Sequence, residues 1–346
     1  MHEPDLTADL MLSVDLNLTA DVAPGFDPQK LLEGEVPEQE VDHPQAPRLD
    51  GYRLLEPLRE SGAWRARQLN TGQMVSVRVF DQPSPEYLGE LRRVVRLGSH
   101  PYLVHVLDAQ LNHHPPYLVT SWLSSPLSDW MKTRAQAADL NQRCQVWLEQ
   151  AAHGLAFAHS KGVFHCDIQP VNLWLDSQMS LRLANFGRSH ALGGLHDRLP
   201  VEGLFLVSPE QLWAHTCPES DRPSPQPGWD LYSLGATFYY LLTSYYPRAS
   251  LSTIRQLEHS IDLQDRLQEA WVQIQAQRLV PILDLNPSVD VRLALIIERC
   301  LQLNPRRGYV DSAALLSDLE EYGAHAHHGL DSACYSLRRL AHRLGF

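Results

Sequence analysis

The stretch His165-Cys166-Asp167-Ile168-Gln169-Pro170-Val171-Asn172-Leu173-Trp174-Leu175 gathers an imidazole, a thiol, a carboxylate and two amides before it turns apolar. Shortly after it comes Leu183-Ala184-Asn185-Phe186-Gly187, which sets another amide 18 residues beyond Asp167. Asp167 is the one carboxylate of this cluster. The bland reading of Asp167 and Asn172, and of Glu90 upstream, is that they are hydrogen-bonding scaffold.

Working outward, the chain changes character on the two sides of residue 127. Upstream lie short β-rich runs at Tyr52 to Leu58, Trp64 to Gln68, Val75 to Phe80, Leu103 to Leu107 and Tyr117 to Trp122, divided by turn signals such as Asn70-Thr71-Gly72. One helical stretch, Pro85 to Leu97, interrupts them. Downstream the pattern is helical. In Arg143 to Ser160 the apolar Cys144, Trp147, Leu148, Ala151 and Leu155 fall on one face. Further helices are expected at Trp229 to Thr243, Val291 to Leu303 and Ser312 to Tyr322. The expected fold is α+β and bilobal, a small β-rich lobe over residues 50–123 and a larger helical lobe over 124–322, with a cleft between them.

Charge is distributed unevenly. The chain carries -12 in total, of which residues 1–50 contribute 12 acids against Lys30 and Arg48, so the body after them is left near neutral at -2. That balance gives no support for nucleic-acid binding. Residues 1–49 are acidic and proline-rich and are expected to be a disordered leader, with the repeat Leu6-Thr7-Ala8-Asp9 and Leu18-Thr19-Ala20-Asp21 as a docking segment for a protein partner within residues 1–21 or, more simply, as part of a solubilising tail. No run of about 18 apolar residues suggests a transmembrane segment. Cys144, Cys166, Cys217, Cys300 and Cys334 lack paired spacing and read as reduced thiols of a cytoplasmic protein. Among 29 basic residues only Lys30, Lys132 and Lys161 are lysines, and none lies between 31 and 131.

In its ordered motifs the chain resembles the eukaryotic-like Ser/Thr protein kinase family, whose catalytic loop reads His-Arg-Asp-Leu-Lys-Pro-x-Asn and whose metal loop reads Asp-Phe-Gly. The resemblance covers residues 51 to about 322. Val75-Ser76-Val77-Arg78 matches the strand that usually ends in lysine, and Glu90 the glutamate of the regulatory helix. Tyr117 to Trp122 resembles the hinge strand, with Thr120 as gatekeeper and Trp122 at the nucleotide edge. Ser208-Pro209-Glu210 corresponds to Ala-Pro-Glu, and Asp230 with Gly235 to the Asp-x-x-x-x-Gly of the next helix. Gly308 stands at the family's late arginine, leaving Arg306 or Arg307 to reach Glu210.

The resemblance implies ATP as ligand, magnesium or manganese at Asn172 and Asn185, and Arg78, Glu90, Thr120, Trp122 and Asn185 around the nucleotide. The residues present argue against efficient transfer, which depends on positioning and on positive charge around the phosphates. Leu58 to Trp64 keeps one glycine, Gly62, where the family has a glycine-rich loop. Arg78 keeps a charge that can pair with Glu90, but its planar fork does not place a compact ammonium between phosphates. Asn185 replaces a carboxylate at a position where a hard cation favours charged oxygen. Gln169 and Leu204 stand where a lysine and a threonine are usual, and Cys166 replaces the arginine that receives a phosphorylated loop. Arg188 to Val207 offers only Ser189 as a hydroxyl acceptor. The reading is a pseudokinase, a binding or allosteric signalling module with weak or absent ATP binding and impaired catalysis. The alternatives are an active atypical Ser/Thr kinase with Asp167 as base, and another nucleotide-dependent transferase on the same fold.

Residues 323–346 are expected to form an amphipathic helical extension. Leu330, Cys334, Leu337, Leu340 and Leu344 make its stripe, which docks on the helical lobe or, as the sharper alternative, on a protein partner or an acidic membrane surface, with Arg338 flanking the stripe and Arg339 and Arg343 on the far side. His325, His327 and His328 read as a solvated turn.

Overall fold

Alternating apolar residues in the first third of the body build an antiparallel sheet. Its strands are β1 (Tyr52–Pro57), β2 (Ala63–Gln68), β3 (Met74–Val79), β4 (Val106–Gln110) and β5 (Tyr117–Ser121), in the order β1-β2-β3-β5-β4. These positions come from a computed structural model that describes residues 46–58, 62–123, 125–134, 139–186, 201–259 and 262–325. Leu54, Ala66, Val75, Val77 and Val119 form the inner face of the sheet, and Leu49, just before β1, packs with them. Helix α1 (Pro85–Leu97) matches its expected bounds because both ends are encoded locally. The Ser84 side chain caps the amide of Tyr87, Pro85 opens the first turn, and Gly98 follows the last residue.

The helical lobe begins with α2 (Leu127–Arg134) and α3 (Leu140–Ser160), the second of which starts three residues before the expected bound. Strand β6 (Ser125–Pro126) pairs with the hairpin β7 (Leu173–Leu175) and β8 (Leu181–Leu183). A 3-10 segment, Val201–Leu206, leads into α4 (Pro209–Thr216), followed by α5 (Pro227–Thr243), α6 (Leu251–Glu258), α7 (Leu263–Ala276), α8 (Ile282–Leu285), α9 (Val291–Cys300) and α10 (Ser312–His325). Helix α5 is buried around nearly its whole circumference and is the central strut of the lobe. Gly235 lets α9 approach it, since a Cβ there would meet the Cys300 Cβ at 2.3 Å.

The α+β, two-lobed expectation holds, with corrections in detail. The run Leu103 to Leu107 is not the fourth strand, which begins at Val106. Leu103 instead makes a parallel bridge to Leu183 and is buried in the core of the helical lobe, so its apolar surface ties the lobes together rather than lining the sheet. Helix α9 ends at Cys300, not Leu303, and α10 runs on to His325. Helices α2, α4, α6, α7 and α8 have no counterpart among the helices expected from the sequence. The leader up to residue 45, the loop residues Arg59, Glu60 and Ser61, most of Arg188 to Val207, and the extension beyond His325 lie outside the described residues.

Candidate functional site

The loop between α3 and β7 is hung from α5 by one carboxylate. Asp230 is fully buried, and its Oδ2 accepts from the His165 amide at 2.8 Å while its Oδ1 accepts from the Cys166 amide at 2.7 Å. His159 Nε2, on the last turn of α3, joins the same Oδ2 at 2.8 Å. Burial alone would raise the Asp230 carboxyl, but hydrogen bonding and charge from His159 and His165 overcome it and hold it below the ordinary carboxylate range. Gln211 of α4 donates from Nε2 to the Cys166 carbonyl at 2.7 Å, and Thr237 Oγ1 donates to the Ile168 carbonyl at 3.3 Å. Cys166, so pinned on both sides, has a left-handed φ of 58°.

His165 is neutral with its proton on Nε2. Burial lowers its pKa, Nε2 faces the Ala184 carbonyl at 2.8 Å, and Nδ1 receives the Asp167 amide at 3.3 Å. Its ring lies 4.5 Å from that of Phe186. The loop carrying Asp167 and the segment carrying Asn185 are thereby joined through one imidazole.

On this frame the polar side chains form a ladder. Asn185 Nδ2 donates to Asn172 Oδ1 at 2.8 Å, and Asn172 Nδ2 donates to Asp167 Oδ2 at 2.8 Å. Gln169 Nε2 donates to the other carboxylate oxygen at 2.6 Å. Asn185 has φ of 66°, a left-handed conformation that Asn tolerates better than most residues. Burial raises the Asp167 carboxyl to about 7, against the opposing pull of the Asn172 and Gln169 hydrogen bonds and of Arg78. Asp167, Asn172 and Asn185 are thus brought together as the spacing implied.

The sheet contributes Arg78, at the end of β3. Desolvation lowers its pKa, the charges acting on it are those of Tyr87 and Asp167, and its guanidinium lies 5.7 Å from the Phe80 ring centroid. Glu90 is buried on α1, one turn beyond Tyr87, whose hydroxyl feels both Arg78 and Glu90. Thr120 pairs with Ser76 across β3 and β5, and Trp122 follows the end of β5, half-buried. Gly62 has φ of 75° and sits where a Cβ would meet the Val79 carbonyl oxygen at 2.3 Å, so this glycine serves the close approach of the chain before β2 to the end of β3.

Comparison with known proteins agrees with this geometry: the family described as protein kinase domain matches residues 61–311. The chain belongs to that family. CBL-interacting protein kinase 32 of Oryza sativa subsp. japonica is 25% identical over 249 residues, which are 67% of this chain and 54% of that protein. CBL-interacting serine/threonine-protein kinase 8 of Arabidopsis thaliana is 24% identical over 248 residues, 67% of this chain and 52% of its own. CBL-interacting serine/threonine-protein kinase 15 of the same plant is 27% identical over 245 residues, 68% and 56% respectively. The chain therefore spans about half the length of the curated relatives it matches.

Within this protein kinase domain two expectations about side chains need correction or gain content. Arg306 and Arg307 are exposed, and among the described residues no ion pair joins either to Glu210. The Asn304 carbonyl and side chain turn that segment back, with its amides at 306 to 308 bonded to Asn304. Cys166, at the family's arginine position, packs in an apolar cluster with Ala214 and Trp229, and burial pushes its thiol well above the ordinary range. That surrounding offers a phosphate nothing. Sequence reasoning missed His159 and Gln211, which position the loop from 71 residues before Asp230 and 45 residues after Cys166. Neither has a local signature.

The donor set decides the fit to a divalent metal. Among the described residues no group of three His, Cys, Asp or Glu side chains is placed to hold a metal ion. Asn172 Oδ1 is already an acceptor for Asn185, and both are neutral amides, poor ligands for a hard cation. The residues present do not fit magnesium.

Proposed function

We propose that this protein kinase domain is a pseudokinase, a binding or allosteric signalling module with weak or absent ATP binding. One observation carries the reading. The side chains at the metal positions, Asn172 and Asn185, bond to each other and to Asp167, so the site is satisfied without a cation. Phosphoryl transfer draws its rate from positive charge and positioning around the phosphates. Here the lysine of β3 is replaced by Arg78, and no lysine lies between residues 31 and 131 to substitute for it. Arg78 keeps the charge but not the compact ammonium, whereas Asn185 removes a unit of negative charge beside a metal. At an effective dielectric of ~20 that loss is worth several kcal/mol, and each ~1.4 kcal/mol felt in the transition state is tenfold in rate.

A thermal-shift titration with ATP alone, with magnesium and with manganese tests this, paired with labelling of protein from the γ-phosphate. The expected result is no metal-dependent stabilisation and no labelling above that of an Asp167→Asn variant. A metal-dependent shift with labelling lost in Asp167→Asn refutes the reading.

One observation favours the second reading, an active atypical Ser/Thr kinase. Asp167 is retained, and a value of about 7 suits a general base. We weigh it below the first because both carboxylate oxygens already accept amide protons. Protein partners are proposed by analogy with relatives whose names say that they interact with CBL. The segments proposed to engage partners are residues 1–21 of the leader and the extension 323–346, outside lobes at 50–123 and 124–322. Cys144, Cys166, Cys217 and Cys300 are free thiols, which supports a reducing, cytoplasmic setting. Among the described residues no helix is long and apolar enough to cross a membrane.

A further inference from the structure

Strand pairing sorts the side chains of the small sheet into rows, because residues directly opposite each other in an antiparallel pair point to the same face. Along β3, Val75 and Val77 join the apolar cluster on one face, so Ser76 and Arg78 belong to the other. Arg78 stands opposite Leu118, which packs with Phe80 and with Leu91 of α1. Arg78 and Asp167 also act on each other's charge. The Arg78 face is therefore the one turned toward α1 and the loop that carries Asp167.

The next row on that face crosses the sheet from β1 to β5. Glu56 lies opposite Arg65, Arg65 opposite Ser76, and Ser76 opposite Thr120. Arg65 Nε forms an ion pair with the Glu56 carboxylate, the two side chains being 30% and 54% exposed. Thr120 and Trp122 are the residues that the kinase resemblance sets beside a nucleotide, so the row ending at Thr120 roofs the place a base would take. A flat base is gripped by apolar surface against its faces, with a few polar groups at its edge. Ser76 and Thr120 are small enough to leave that space open. Glu56 and Arg65 are not, and a base pressed on them strips water from a carboxylate and a guanidinium without giving either a new partner.

We propose that the Glu56–Arg65 pair closes this cleft to a nucleobase and that Arg65 is the residue that sets this specificity. The inference rests on the pseudokinase reading and deepens it: loss of ATP binding originates at the base end of the cleft as well as at the phosphate end, where Arg78 and Asn185 stand.

The test uses the full chain and adenosine, which offers a base with no phosphate and no call for a metal. Binding is measured by titration calorimetry for the parent, for Glu56→Leu with Arg65→Val, and for Arg65→Lys. The double variant is expected to bind adenosine at least about tenfold more tightly than the parent. Arg65→Lys keeps a charge on the roof and is expected to bind no more tightly than the parent. Absence of a gain in the double variant overturns the proposal, as does an equal gain in Arg65→Lys. Binding by the parent that the double variant loses also overturns it, since the base would then be stacking on the Arg65 guanidinium. If the double variant does not fold, Arg65→Val alone is read by the same criteria with a smaller expected gain of about threefold. The two readings fail separately. Metal-dependent γ-phosphate labelling by the parent refutes the pseudokinase reading, whereas adenosine binding without labelling in the variants leaves it standing and decides only the role of Arg65.

Discussion

Replacing Asp167 by Asn isolates the energetic consequence of burying the one retained carboxylate. In the unfolded chain an aspartate titrates near ~3.9, whereas in the fold burial raises this one to about 7. The folded state therefore holds a proton that the unfolded state has released, and stability falls as pH rises from about 4 through about 7. At ~1.4 kcal/mol per unit the full shift corresponds to ~4 kcal/mol, roughly two thirds of it developing between pH 5 and pH 8. Asp167 is only partly covered by area, so solvent screening reduces the expected effect to about 1–2 kcal/mol over that interval.

The amide introduced by Asp167→Asn would keep an oxygen for Asn172, and Gln169 can turn its own amide to accept from the new nitrogen. The variant should then match the parent to within about 1 kcal/mol at pH 5 and exceed it by about 1–2 kcal/mol more at pH 8, measured by urea unfolding at both pH values. The difference between proteins removes the contribution of Glu298, which burial also raises to about 7. A gap independent of pH would show that Asp167 titrates as an ordinary carboxylate and would refute the account of its environment.

Asn185→Asp alone is expected not to establish phosphoryl transfer, since Arg78 and the single-glycine turn remain. It should cost about 1–2 kcal/mol by setting a carboxylate against Asn172 Oδ1 in place of a donor, and robust γ-phosphate labelling would refute this. Asp230→Ala leaves the amides of His165 and Cys166 buried without their acceptor. It should cost at least about 3 kcal/mol in denaturant unfolding, and a loss below about 1 kcal/mol, the net worth of a single ordinary hydrogen bond, would show that the loop is held by other means. Gly235→Ala forces a Cβ to 2.3 Å from the Cys300 Cβ. A loss of about 1–3 kcal/mol is expected, partly restored by Cys300→Gly, and the absence of that rescue in thermal unfolding would place the clash elsewhere.

Much of the frame was legible because its signals are local. Helix α1 lies where Ser84, Pro85 and Gly98 bound an apolar period of about 3.6, and the order of Arg78, Glu90, Asp167, Asn172 and Asn185 along the chain announced both the family and its departures. Helix α7 was equally marked, by Asp262 followed by Leu267, Ala270 and Ile274. Its cap and apolar spacing are local signals, but the segment carries no motif that ties it to the site.

What the sequence determined by itself is chemical inventory: the identity of each side chain at the site, the lysine-free stretch from 31 to 131, and an acidic excess concentrated in residues 1–50. Those facts require no coordinates, since charge and ligand type belong to the residue. Tertiary structure decided what each group meets. The Asn185 to Asn172 to Asp167 ladder, the carboxylate that Asp230 offers to an amide 65 residues away, and the burial of Val201–Leu206 beneath α7 all join distant parts of the chain. Local pattern encodes periodicity and caps, but a hydrogen bond or a desolvation depends on which surfaces are finally pressed together.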